Sequence, residues 1–220
     1  MGISERKQRE KEQRKNEIID AAERLFFVRG YEDVSMDEIA RGVELNKATL
    51  YLYFKNKEAL FAAVVLRGIG ILQEQYRACM ENQVTGIVKV ALLGEAYYRF
   101  SQEHPDYLRL IKFYGTERFS NENPGTAEVG DGYGTCRLIL RDAIREGIDD
   151  GTIRADIDPW LASMYLMIAF MGVLSMEEKW KQVIMAEGFS YEQYCKEFFR
   201  FMTPALSAGD DLPAGKRPAR

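Results

Sequence analysis

The chain is poor in the residues that chemistry and metal binding need. Among 220 residues it has one histidine and three cysteines, and six prolines. The histidine, His104, stands before Pro105 and belongs to no catalytic pattern with a cysteine or serine, so it reads as a helix-boundary residue rather than a base. Cys79, Cys136 and Cys195 are odd in number and far apart, and no CxxC occurs; structural zinc is excluded, and a reduced, cytoplasmic setting is expected. No glycine-rich phosphate loop, GxSxG or HExxH is present, and no pattern shelters a pair of carboxylates. The expectation is therefore a protein that is not an enzyme and needs no metal or cofactor.

Other absences bear on the fold. No period-2 strand of useful length and no internal repeat occurs, whereas helical spacing is nearly continuous, so the fold class is all-α. The N-terminus is charged with no apolar run behind it, which argues against a signal peptide. One long uncharged run, Pro159 to Met176, is at the lower limit for a membrane span. It contains Ser163, Gly172 and Ser175, continues in helical register into Glu177-Glu178-Lys179-Trp180-Lys181, and has no positive cluster at its flank. A helix apolar nearly all round is otherwise buried in protein, so no membrane partner is expected.

Charge excludes a further class. The net charge of -4 does not suit a protein that coats nucleic acid without regard to sequence, although it leaves room for a compact reader. Positive charge is concentrated at the start, where Arg6, Lys7, Arg9, Lys11, Arg14 and Lys15 outweigh Glu5, Glu10 and Glu12. Residues 1–13 read as a flexible basic arm, which either touches DNA or remains a solvated tail.

What the chain does have is concentrated between Ser35 and Lys57. Ser35-Met36-Asp37-Glu38 is a capping box that opens a short helix with Met36, Ile39, Ala40 and Val43 on one side. Asn46 caps a second short helix, Lys47 to Phe54. Leu45, Leu50 and Phe54 pack inward, which leaves Lys47, Thr49, Tyr51 and Tyr53 with polar ends free. Asn56 caps a third helix with Lys57 in its first turn, where a cation is out of place unless an anion sits on the helix terminus. This is the pattern of a helix-turn-helix that grips DNA.

Arg14 to Phe61 resembles the DNA-binding domain of the TetR family of bacterial and archaeal transcriptional regulators. The resemblance rests on Ile18-Ile19-Asp20-Ala21-Ala22, Leu25-Phe26, Gly30-Tyr31, Val34-Ser35-Met36, Ile39-Ala40, Thr49-Leu50-Tyr51, Tyr53-Phe54 and Lys57-Glu58-Ala59-Leu60, whose spacings fit without gaps. One position departs from the pattern. The family has glycine in the turn between the two short helices, and here Glu44 stands, at a cost of about 1 kcal/mol if the turn is left-handed. Beyond Phe61 the resemblance is only one of helical layout.

The candidate DNA contacts follow residue by residue. Lys47 reaches a guanine edge or a phosphate, Ala48 is small enough for a thymine methyl, and Ser35, Thr49, Tyr51 and Tyr53 offer hydroxyls to phosphates. Lys57 is assigned to phosphate. Two competing readings stay open: Ser35 is already engaged as a cap, and Tyr53 belongs mostly to the core. Asp37 is read as stabilising its helix start. The resemblance implies contacts at these same positions.

The expected organisation is an arm (1–13), a three-helix DNA-binding domain (14–56), a helical regulatory and dimerisation domain (57–204, with 57–80 a connecting helix) and a disordered tail (205–220). Ser120 to Gly134 reads as a loop and Thr135 to Asp149 as a helix. Asp158-Pro159 and the capping box Ser190-Tyr191-Glu192-Gln193 open the last two helices. Candidate ligand-lining residues are Tyr97, Tyr98, Phe100, Tyr107, Phe113, Tyr114, Met167 and Met171, with ordinary core packing as the competing reading. Candidate dimer residues are Met164, Ile168, Leu174, Tyr194, Phe198 and Phe201. The resemblance implies an unidentified small-molecule effector, and the residues suggest an apolar or aromatic one. The reading as a whole is a homodimeric repressor on double-stranded operator DNA. Its competitor is a ligand-binding or protein-interaction dimer whose helix-turn-helix has lost DNA binding, a reading that Glu44 and the acidic balance favour.

Overall fold

The computed structural model describes residues 2–115 and 125–209. Ten helices occur among the described residues: α1 (Ile3–Arg29), α2 (Met36–Gly42), α3 (Lys47–Tyr53), α4 (Lys57–Met80), α5 (Gly86–Glu103), α6 (Pro105–Tyr114), α7 (Thr126–Asp149), α8 (Pro159–Leu174), α9 (Glu178–Ala186) and α10 (Tyr191–Leu206). They fall into two compact units, Met1–Gln73 with Phe100–Thr135, and Glu74–Arg99 with Cys136–Arg220.

The first unit is organised around an aromatic core. Ile18, Ala22 and Phe26 of α1 are fully buried, and α1 ends at Gly30, whose φ of +77° suits a residue without a Cβ. The Phe61 ring of α4 lies 5.2 Å from Phe26, 4.7 Å from Tyr31 and 6.0 Å from Phe113 of α6. Each fully buried aromatic of this kind contributes about 1.5–3 kcal/mol. Polar ties hold the rim of the core. Arg67 of α4 bridges Asp20 at 2.7 Å and Glu23 at 2.8 Å, and the Tyr107 hydroxyl of α6 donates to the same Glu23. Tyr107 also packs so close to Gly68 that a Cβ there would come within 2.6 Å of its ring. Here glycine is required by the closeness of α6 to α4.

α1 begins much earlier than the basic composition predicts. Its extension from Ile3 is exposed but helical, because residues 3–16 are mostly strong helix formers without proline or glycine. Pairs one turn apart reinforce it, Arg6 with Glu10 at 2.8 Å and Arg14 with Glu17 at 2.7 Å. A second boundary also moves. α7 starts at Thr126, nine residues before the expected Thr135, so residues 126–134 are helix rather than loop. Three glycines obscured this in the sequence. Tertiary contacts decide it: Val129 is buried, and Gln73 of α4 donates to the Gly132 carbonyl at 2.9 Å. Residues 120–124 of the expected loop lie outside the described residues.

In the second unit, Asp158 caps α8 by accepting from the Leu161 amide at 2.9 Å, with Pro159 in the first helical position. α8 does not continue into the charged segment, as the register suggested. It closes at Ser175, and α9 leaves at 79°. Among the described residues no single helix is long and apolar enough to cross a membrane. Phe170 of α8 packs on Phe198 and Phe199 of α10, at 5.9 and 5.2 Å. The Tyr191 hydroxyl donates to the Val173 carbonyl at 2.6 Å. The expected tail is partly ordered: Leu206 is buried, its carbonyl accepts from the Arg154 amide at 3.0 Å, and Ser207 forms an isolated bridge with Ile153. Residues 210–220 lie outside the described residues.

Candidate nucleic-acid interface

α2, α3 and the turn between them are held by local chemistry. The Ser35 hydroxyl accepts from the Glu38 amide at 3.2 Å and donates to the Glu38 carboxylate at 2.8 Å, while that carboxylate also accepts from the Ser35 amide at 2.9 Å. Arg29 closes the cluster, 2.6 Å from Glu38. This guanidinium, then Ser35, hold the Glu38 pKa down to about 2. In the turn, Glu44 has φ of +54°, the left-handed conformation for which its position ordinarily takes glycine. Asn46 then caps α3, accepting from the Thr49 amide at 2.8 Å and the Thr49 hydroxyl at 3.0 Å.

With α3 anchored by buried Leu50 and by Phe54 just beyond it, the opposite face turns to solvent. Lys47, Ala48 and Tyr51 all lie on it. One residue that sequence reasoning passed over shares the face, Leu52, 80% exposed, and exposed Lys55 follows just past the end of α3. Helical spacing was a sufficient signal for Leu52, which follows Ala48 by one turn. Lys47 meets the Asp37 carboxylate at 2.8 Å, which raises the lysine pKa first through that hydrogen bond and then through its charge. Asp37 thus ties α2 to α3, a role beyond the helix start assigned to it.

Three assigned side chains are directed elsewhere. Lys57 donates to the carbonyls of Tyr31, Val34 and Glu32 at 2.7, 2.7 and 3.3 Å, and its ammonium sits 4.1 Å from the Tyr31 ring centroid. An ammonium has three donors, so this side chain is committed to the α1–α2 loop rather than turned out to phosphate. The Ser35 and Thr49 hydroxyls both donate within their capping clusters. Tyr53 is half-buried.

The eight ligand candidates are divided between the two units. Phe100, Tyr107, Phe113 and Tyr114 belong to the first unit, and Tyr97, Tyr98, Met167 and Met171 to the second. Tyr107, Phe113 and Tyr114 are partners of Phe27, Tyr31 and Phe61 in the aromatic core just described. Phe100 is fully buried. In the second unit Tyr97 is buried, and burial, with a smaller contribution from Cys136, raises its pKa. A cleft of about 520 Å³ in that unit is lined by Ser175, Met176, Trp180, Val183, Ile184 and Tyr194, among others, and by none of the eight. Of the dimer candidates, Ile168 and Phe201 are strongly exposed, Tyr194 is marginally so, and Met164 and Phe198 are half-buried. Leu174, 8% exposed, faces its own chain's core and presents little surface to a partner.

Fold and site together define a class, the all-helical proteins with an N-terminal helix-turn-helix. The chain matches the model for bacterial regulatory proteins of the tetR family over residues 18–64. It is 30% identical over 148 residues to the fatty acid metabolism regulator protein of Bacillus subtilis (strain 168), a match covering 66% of this chain and 74% of that protein. It is 29% identical over 101 residues to the HTH-type transcriptional activator FasR of Mycolicibacterium smegmatis, and the match spans 46% of each chain, about half of that relative. Among solved structures, FadR from Bacillus subtilis in complex with stearoyl-CoA has the same fold, with a TM-score of 0.68 at 19% identity, covering 86% of this chain and 98% of that one. The chain belongs to the TetR family of transcriptional regulators, and it is not an enzyme.

Proposed function

We propose that this regulator acts as a homodimeric repressor, binding a pseudo-palindromic operator and released by a small apolar effector. The observation that carries the DNA reading is the outward face of α3, where Lys47, Ala48 and Tyr51 stand free of the core on a helix fixed by the Ser35 and Asn46 caps. α3 itself carries no carboxylate, and Asp37 of α2 meets the Lys47 ammonium at its start at 2.8 Å. A single short helix makes few base contacts, so specific binding needs two, about one helical turn of DNA apart.

The effector is assigned by class. The regulatory half is rich in aromatic and methionine side chains, which suit an adaptable apolar site. One relative is named for fatty acid metabolism, and FadR was solved with stearoyl-CoA. Long-chain acyl thioesters are therefore the first class to test. Release follows if the ligand binds the non-operator conformation more tightly, since a ligand shifts an equilibrium only by its difference in affinity.

The test is selection of DNA from a random pool, followed by anisotropy titration of the enriched site across salt, with Lys47→Ala and added acyl-CoA as further arms. A palindrome, a steep salt slope, weaker binding by the variant and release by ligand are the expected results. Failure to enrich any site overturns the DNA reading and favours the competing ligand-binding dimer. Enrichment without release by acyl-CoA removes that effector class alone.

A further inference from the structure

The outward face of α3 has a chemistry that hydrogen bonding to DNA does not explain. Leu52 is 80% exposed, and Ala48, one turn earlier, is exposed beside it. Tyr51, 42% exposed, adjoins both. Lys47 opens the helix, and exposed Lys55 follows two residues past its end, beyond the extended Phe54. A short helix therefore displays an apolar strip on the side away from the Leu50 and Phe54 anchors, with a cation at its start and another in the segment that follows it. Isolated exposed apolar residues are ordinary on a protein surface. This one is contiguous with Ala48 and Tyr51 and lies on the face that the helix-turn-helix holds outward. An apolar strip gains nothing from phosphate and needs an apolar partner to leave water. In the major groove that partner is the C5 methyl of thymine, the one apolar group among the base edges there.

We propose that Leu52 is a specificity-determining residue, reading thymine methyl groups in each half-site together with Ala48. The inference rests on the DNA-binding reading above and deepens it. Lys47 and Lys55 supply the phosphate or guanine contacts that hold the helix in the groove, and Leu52 selects among the sequences the helix can enter. Operators are expected to place thymine opposite Leu52 in both half-sites. Positions contacted by the cations alone tolerate changes that remove only a methyl.

The experiment uses the full chain and its selected operator. Each thymine is replaced in turn by deoxyuridine, which removes the methyl and leaves the hydrogen-bonding edge intact. At the position facing Leu52, the wild type is expected to lose about fourfold in affinity per half-site, the worth of one buried methyl. Leu52→Ala is expected to bind the thymine operator roughly tenfold more weakly per half-site, the loss of several partly buried carbons. It should be indifferent to deoxyuridine at that position while wild-type sensitivity persists elsewhere. Because Leu52 is exposed, the variant should melt with the wild type, which separates lost contact from lost fold. Leu52→Ala binding as tightly as wild type, or both proteins responding equally to every deoxyuridine, overturns the assignment and leaves the DNA reading standing. Failure to enrich any operator overturns both.

Discussion

Lys57 and Glu44 show how one side chain or one dihedral angle sets the pose of the reading helix. Lys57 gathers three carbonyls of the loop that delivers the chain from α1 to α2. Without the ammonium those oxygens lose a charged donor, and hydrogen bonds to charged groups contribute about 1.5–3 kcal/mol. Lys57→Met should therefore lower stability by about 1–3 kcal/mol in urea titration while leaving the slope of log affinity against log salt as in the wild type. A slope shallower by about one, with unchanged stability, would return Lys57 to phosphate binding. Glu44 makes the opposite case. At φ of +54° its side chain strains the turn, and glycine relieves the strain but loosens the unfolded chain. Glu44→Gly should be neutral to stabilising by about 1 kcal/mol. A loss of stability of that size would show that the Glu44 side chain makes contacts that outweigh the strain.

At the scale of elements, helix starts marked by a capping side chain were legible, whereas the starts of α1 and α7 and the end of α10 were not. Ser35, Asn46, Asn56, Asp158 and Ser190 each accept from an amide three residues on, so their signal lies within a few residues. The early start of α7 depends on Gln73, and the ordered end of α10 on Arg154, partners far away in sequence. The orientation of Lys57 was hidden for the same reason: its acceptors lie 23 to 26 residues upstream. The face of Leu52, by contrast, could have been found from spacing alone. The α2 capping box also has a pH signature. Arg29 and Ser35 depress the Glu38 pKa from 4.5 to about 2, so its stabilising contribution is fully present above pH 4.5 and is lost as pH falls toward 2. Wild type and Glu38→Gln should accordingly differ in melting temperature above pH 4.5 and converge as pH approaches 2. A difference that stays constant across that window would show that the Glu38 charge does not act through Arg29 and Ser35.

At the scale of the whole molecule, the decisive feature is α8, apolar on every side yet buried on only one. Ala162, Ser163, Leu166, Phe170 and Leu174 face the core of their own unit. Leu161, Tyr165 and Ile168 of α8 are exposed, as are Phe189 and, on α10, Phe201. Soluble monomers rarely expose contiguous apolar patches beyond a few hundred Å². In the homodimer proposed above, a second copy of the chain meeting this face across a two-fold axis would remove it from water and bring two reading heads to one operator. A stable interface of that kind needs about 800 Å² from each partner, which several large side chains on neighbouring helices can supply. Phe201 and Ile168 give the sharpest test because both are strongly exposed, so a charge there leaves the monomer fold intact. Phe201→Glu and Ile168→Glu should each sediment as monomers at micromolar concentration, keep the wild-type helical spectrum, and lose most operator affinity. Loss of dimer with full affinity would mean that one head suffices for the site. A dimer that survives both charges would place the interface on another surface and require a different cover for α8.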